Sequence, residues 1–351
     1  MRKASIRIAP NWKTETGRVL QDPMLSYRIY GDLQDDSKPV VWVCHALTAN
    51  DDPFEWWAGL FGENDLFNPI DFTIICVNMI GSCYGSIGPL SENPKTLKSY
   101  LHGFPLTTIR DNSNAFSRLA DSLGLKKIDL LIGGSMGGQV ALQWAVEEPN
   151  RFGRLALLAT NATHSPWGIA FNQSQRMAIE ADSTWGENTR DSGKEGMQVA
   201  RSLALLSYRN YACYDETQPR DAKDDLFTYR AQSYQTYQGE KIAKRFNAIS
   251  YHRLSHTMDS HDISKGFGSI PAALERLEMP VLSISMEGDI LFPPSEQIEI
   301  AEGAPFGKHI SIPTTKGHDG FLIETERLSA VLKEFMKEHL IENAKSKYET
   351  E

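Results

Sequence analysis

Along the first 160 residues, short apolar runs alternate with longer stretches of helical period. Val40–Cys44, Phe72–Val77, Ile128–Ile132 and Leu155–Ala159 are nearly continuous hydrophobic runs. Such runs suit strands covered on both faces, as in a parallel sheet. Between them, Thr107–Leu123 sets Ile109, Ala115, Phe116, Leu119 and Leu123 along one side and meets a stop signal at Gly124. Gly138–Val146 reads as a second helix that ends before Glu148-Pro149. From Pro166 to Pro271 the chain is polar, aromatic and helix-like, with no clear strand. Alternation returns with a strand at Pro280–Ser285, a helix at Ser295–Glu302, a strand at His309–Ile312 and an amphipathic helix from about Glu324 to His339. This pattern predicts an α/β fold with a doubly wound, mostly parallel sheet. Residues 1–165 and 272–351 form its core domain, and 166–271 form a helical insertion that caps the crevice beyond the strand ends. The closing KSKYETE is charged and is expected to fray.

Composition narrows the function. Of 351 residues, 41% are hydrophobic and 23% charged, as in a globular protein, and the formal net charge is −9. That balance argues against nucleic acid as a partner but leaves room for a small anionic substrate at a local cationic site. The opening MRKASIRIAPNWKTETG has no apolar core of a secretory signal, and no run approaches a membrane span. Cys44, Cys76, Cys83 and Cys213 form no C-x-x-C pair. The expectation is a cytoplasmic protein with free thiols and no membrane partner.

One stretch raises a chemical question. Ile132–Gln139 reads IGGSMGGQ, with four glycines around one serine. A phosphate cradle fits poorly: Gln139-Val140 stands where a P-loop needs Lys-Ser/Thr, and the glycine spacing is not G-x-G-x-x-G. A nucleophile elbow, G-x-S-x-G, fits Gly133 to Gly137; an ordinary strand-to-helix turn is the bland alternative. Later residues favour the elbow. A serine hydroxyl needs a base, and the base an orienting acid, in the chain order Ser, Asp, His. Asp289 follows the strand at 280–285, and His318 follows the strand at 309–312. Each has a bland reading, as a turn aspartate and a surface histidine. The oxyanion donors would be the N–H groups of Met136, after the serine, and of Leu47, in the loop after the first buried strand. His45 reads as support for that loop. Asp319 is either a solvated carboxylate or a binder of a substrate amine. His252, His256 and His261 match no zinc spacing, so no metal is expected. Trp56-Trp57 and the tyrosines between 229 and 251 read as packing.

Nine segments in order carry a resemblance over most of the chain: CHALT (44–48), WWAGLFG (56–62), GSCYGSIGP (81–89), FPLTTIRD (104–111), GGSMGGQVALQWA (133–145), HSPWGIAFNQSQRMAIEADSTW (164–185), YQGEKIAKRF (237–246), LFPP (291–294) and GHDGFLIE (317–324). In these the chain resembles the homoserine O-acetyltransferases of the α/β-hydrolase superfamily. The resemblance implies a ping-pong acetyl transfer from acetyl-CoA to L-homoserine, a step toward methionine, with no permanently bound cofactor. It implies Ser135 as nucleophile, His318 as base, Asp289 as orienting acid, and Leu47 and Met136 as oxyanion donors. It further implies Arg176 on the substrate carboxylate, Asp319 on its ammonium, Tyr237 in the pocket, and a homodimer through the lid helices. Relatives that use serine as acceptor or succinyl-CoA as donor keep those alternatives open. A serine esterase and a non-catalytic binding protein are the more distant ones. The chain departs from the usual pattern at Ala49–Pro53, at Lys95–Gly103 and at His261.

Overall fold

The computed structural model describes residues 1–221 and 226–348. Its centre is an eight-stranded sheet. In chain order the strands are β1 (Arg2–Arg7), β2 (Met24–Tyr30), β3 (Val40–Cys44), β4 (Thr73–Val77), β5 (Leu130–Gly134), β6 (Leu155–Leu158), β7 (Val281–Met286) and β8 (Gly307–Ile312). Their spatial order is β1-β2-β4-β3-β5-β6-β7-β8. The first two pair antiparallel, β2 pairs antiparallel with β4, and every later pair is parallel.

The inner parallel strands are the apolar runs of the sequence; β8, at the far edge, has only Ile312 buried. β4, β5, β6 and β7 are buried along their whole length, and β3 along all but its first residue. The sequence pattern does not disclose β1 and β2. β1 lies at the sheet edge with its Arg and Lys exposed, so it has no continuous apolar run to show. The strand expected at 128–132 runs instead from Leu130 into the glycines at 133 and 134, because Ile128 and Asp129 are tied to Arg151 and Val40 at the sheet's margin.

Helices cover both faces. They include α1 (Ile109–Ser122), held at its start by a Thr108–Asp111 capping box, and α2 (Met136–Glu147), buried on nearly every residue. Trp42, Trp144 and Phe116 pack on one face of the sheet; Trp57, Phe61 and Phe321 pack on the other. The inserted segment holds α3 (Pro166–Glu180), α4 (Lys194–Tyr208), α5 (Tyr211–Thr217), α6 (Arg230–Ala243) and α7 (Ala248–Asp259), and among its described residues no strand occurs. Backbone hydrogen bonds close its neck: His164 N–H donates to His261 O at 2.9 Å, and Ile263 N–H to Ala162 O at 3.1 Å. The expected boundary at 271/272 falls within a short helix, α8 (Ile270–Leu274), beyond that neck. The longer helices that follow are α9 (Pro294–Gly303) and α10 (Thr325–Tyr348), with one short turn of helix at Gly320–Ile323 between them. Of the frayed tail expected at 345–351, residues 345–348 close α10, and 349–351 lie outside the described residues.

Candidate active site

Ser135 stands between β5 and α2 with φ 54° and ψ −128°. A non-glycine residue at positive φ is strained and persists only where its surroundings force it. Here Ser135 N–H donates to Leu158 O at 2.9 Å, and Ser135 O accepts from Thr160 Oγ1 at 2.8 Å. The flanking glycines answer the question that the motif raised. A Cβ at Gly133 would collide with Gly137 O, and one at Gly137 with Cys44 O. The glycines let the turn fold tightly against β3, with the hydroxyl at its tip.

The structure brings three of the expected residues together. His318 Nε2 lies 3.0 Å from Ser135 Oγ, and His318 Nδ1 lies 2.7 Å from Asp289 Oδ2. Asp289 Oδ1 accepts from the N–H groups of Leu291 and Phe292 at 2.8 and 3.0 Å. This carboxylate therefore has few ways to turn, and it holds the imidazole with Nδ1 protonated and Nε2 free to accept. The His318 ring is stacked on Phe292 at 5.1 Å and edged by Phe321 at 5.3 Å. All three residues are buried, so the hydroxyl–imidazole–carboxylate chain is largely screened from water. Such an arrangement can remove a proton from a hydroxyl and return it to a leaving group.

Met136 is the first residue of α2, so its N–H is one of the four that a helix leaves without an internal partner. Leu47 lines the same cavity as Ser135. The loop that bears it is fixed by His45, whose Nδ1 donates to Ala46 O at 2.8 Å and whose Nε2 accepts from Met79 N–H at 3.0 Å. Burial pushes the His45 imidazole down to about 4. Neutral and engaged at both nitrogens, it is a support and no second base.

Ser135 and His318 open on a cavity of about 500 Å³. Loop residues 46–50 with Trp56 form one wall, and Arg201, Tyr208, Gln238, Lys241 and Arg245 from the inserted segment form another. Asp319 lines it as well. Arg201 stands 5.2 Å over the Tyr208 ring, which itself lies 5.7 Å from the His318 ring.

Two expectations fail here. Arg176 does not line the cavity: it is buried on α3, with Nη2 at 2.7 Å from Asp259 Oδ2 and Nη1 at 3.2 Å from Ser255 Oγ. Tyr237 is 55% exposed on the outer side of α6, whereas Gln238, Lys241 and Ile242 face the cavity. One residue along a helix turns the side chain by about 100°. Arg201, one of three cations that do reach the cavity, bears no mark in the sequence: nothing in GMQVARSLALLSY sets it apart from any helix arginine.

Comparison with known proteins decides the family. A model of the alpha/beta hydrolase fold matches residues 39–324. A homoserine O-acetyltransferase of Cyclobacterium marinum is 45% identical over 93% of this chain and 92% of its own. That of Chlorobaculum parvum is 40% identical over 94% and 93%. The chain belongs to the homoserine O-acetyltransferase family. A solved homoserine O-acetyltransferase of Staphylococcus aureus superposes with a TM-score of 0.80 at 29% identity, covering 95% of each chain. Esterase E22 superposes with a TM-score of 0.84 at 20% identity, over 95% of this chain and 99% of that one, which is a likeness of fold. Shape is thus shared between this acetyltransferase family and esterases, and the cavity's charges have to separate the two chemistries.

Outside the cavity lies a chain of polar side chains. Asn161 donates to Glu296 at 3.1 Å, Gln139 to Asn161 at 3.0 Å, and Asn172 to Asp259 at 2.8 Å; His164 sits between Gln139 and Asn172 at 3.1 Å from each. Burial, the largest influence, raises the Glu296 carboxyl to about 7. Of the three histidines of the insertion, His252 and His256 stand on helix α7; His252 and His261 are buried, His256 is half-buried, and His252 bonds to Glu180 at 2.8 Å. No cluster of three or more His, Cys, Asp or Glu able to hold a metal ion occurs among the described residues, nor does any helix long and apolar enough to cross a membrane. Cys44, Cys76, Cys83 and Cys213 are free thiols.

Proposed function

We propose that this chain transfers an acetyl group from acetyl-CoA to the hydroxyl of L-homoserine through an acyl-serine intermediate. Ser135 Oγ attacks the thioester carbonyl while its proton passes to His318 Nε2; Asp289 steadies the imidazolium through Nδ1. The N–H groups of Leu47 and Met136 receive the oxyanion. Collapse expels the CoA thiolate, which takes the proton from His318. The homoserine hydroxyl then gives its proton to His318 and attacks the acetyl-serine, and Ser135 leaves with that proton.

The observation that carries this reading is the pair of opposite charges on the cavity wall. Arg201 suits a carboxylate and Asp319 an ammonium, so the cavity complements an amino-acid zwitterion. A general esterase needs neither. Lys241 and Arg245 line the same cavity and offer positive charge to a phosphorylated donor. The inserted helices shield the acyl-serine from water, which competes at roughly 55 M. We place the core at 1–165 and 272–351, with the lid between, in a cytoplasmic enzyme. Trp167, Met177, Val199 and Leu206 are exposed apolar side chains on lid helices α3 and α4, and they support a homodimer through the lid.

Intact-protein mass spectrometry tests the proposal. Acetyl-CoA should add about 42 Da to the protein and nothing to Ser135→Ala, and homoserine should remove the adduct faster than serine or water. An adduct from succinyl-CoA alone, or one cleared fastest by serine, would reassign the donor or acceptor.

A further inference from the structure

Arg209 directly follows α4 and reaches Asp319 from outside the cavity, whose lining includes Asp319 but not Arg209. Its Nε donates to Asp319 Oδ2 at 3.1 Å. Its Nη1 lies 3.8 Å from Cys213 Sγ, and its guanidinium carbon 5.8 Å from the centre of the Tyr234 ring. Three neighbours therefore fix this arginine, and only 21% of its side chain is exposed. Its backbone is fixed as well. A Cβ at Gly317, beside His318, would press on Tyr208 O, Arg209 C and Asn210 N. The end of α4 is thus seated on the loop that bears His318 and Asp319.

Of the cations that line the cavity, Arg201 is the one assigned above to the carboxylate, yet among the described residues no ion pair joins it to Asp319. Opposite charges on the wall of one cavity attract each other. If Asp319 turned to Arg201, neither charge would be available to a zwitterionic ligand. Arg209 engages one carboxylate oxygen from behind and leaves the other for that ligand.

We propose that Arg209 is a positioning residue for the amino-acid acceptor. It holds Asp319 apart from Arg201 and so sets the spacing of the two charges that receive ammonium and carboxylate. The proposal rests on the acceptor reading given above.

The test separates the two half-reactions in Arg209→Met and Arg209→Lys, each with and without Asp319→Asn. Single-turnover acylation by acetyl-CoA should stay within about twofold of wild type in Arg209→Met, while KM for homoserine rises about tenfold. Lysine should restore most of that loss. In the Asp319→Asn background, Arg209→Met should add nothing. Equal losses in both half-reactions, an unchanged or lower KM, or multiplicative effects of the two substitutions would overturn the proposal. If the methionine variant is unstable, Arg209→Gln is read by the same criteria. Failure of the acceptor reading looks different: wild type would acylate, and no amino acid would clear the acyl group faster than water.

Discussion

Arg176, buried, and Asp259, half-buried, form an ion pair, with Nη2 at 2.7 Å from Oδ2, that joins α3 to α7 inside the lid. The arginine has four further hydrogen-bonding contacts' worth of donors, and Gln173 and Ser255 accept from it as well. Its task follows from its place: it holds two lid helices together.

Arg176→Met should therefore destabilise the protein by about 1–3 kcal/mol, because Asp259 would keep its bond from Asn172 but lose its charged partner. Arg201→Met should leave the melting temperature nearly unchanged and raise KM for the acceptor at least tenfold. Thermal melts and steady-state kinetics on both variants check this. A raised acceptor KM in a fully stable Arg176→Met would return that residue to the substrate.

Asp289→Asn keeps the size of the side chain but can no longer hold His318 with Nδ1 protonated. A loss of about 10³–10⁴ in kcat is expected, with circular dichroism unchanged. A loss below tenfold would mean that the 2.7 Å contact between them has little to do with turnover.

Gly137→Ala should fail to fold or lose several kcal/mol, since the new methyl meets the Cys44 carbonyl of β3. Gly103→Ala is the control: its Cβ would meet nothing within 4 Å, and a change within about 0.5 kcal/mol is expected. Urea titration of both variants decides.

Acid should unfold the protein through its buried histidines. Burial takes His45 and His164 down to about 4 and His261 to about 3. On acidification the unfolded chain takes up these protons first, near the ordinary value of about 6.5. Their stabilisation is complete above that value and is lost as pH falls toward 4 and 3; His45 alone accounts for about 3 kcal/mol. Glu296 has the opposite sign. Its carboxyl, raised to about 7, contributes most below the ordinary carboxyl range and loses that contribution as pH rises through 7. Urea midpoints should fall from pH 6.5 to 4, and Glu296→Gln should gain on wild type between pH 5 and 8. A constant difference between the two proteins over that range would count against the Glu296 assignment.

Much of the fold and of the hydroxyl–imidazole–carboxylate set was legible in the sequence, for a physical reason. Strands buried on both faces are apolar runs, and Ser135 and Asp289 each follow one; His318 follows edge strand β8, in which only Ile312 is buried. Edge strand β1 has no such mark. Charge recognition was legible only as residue type. Arg176 and Tyr237 lie in segments typical of the family, but a role in binding depends on which way a helix is turned and on what already pairs with the charge. Asp259 takes Arg176, and the rotation of α6 turns Tyr237 outward. Neither fact is written in local sequence. The Arg209–Asp319 contact, 110 residues apart, is likewise a product of tertiary packing.

The place of the lid within the chain also sets an order of events during synthesis. Ser135 precedes the insertion and His318 follows it, 183 residues later. At roughly 5–20 residues per second, a ribosome needs on the order of ten to forty seconds to cross that gap. Throughout that interval the nascent chain has a serine without its imidazole, and β6 waits at the edge for β7. The hydroxyl gains its reactivity only after the helices that shelter it have been made, so the growing polypeptide cannot acylate itself in the open.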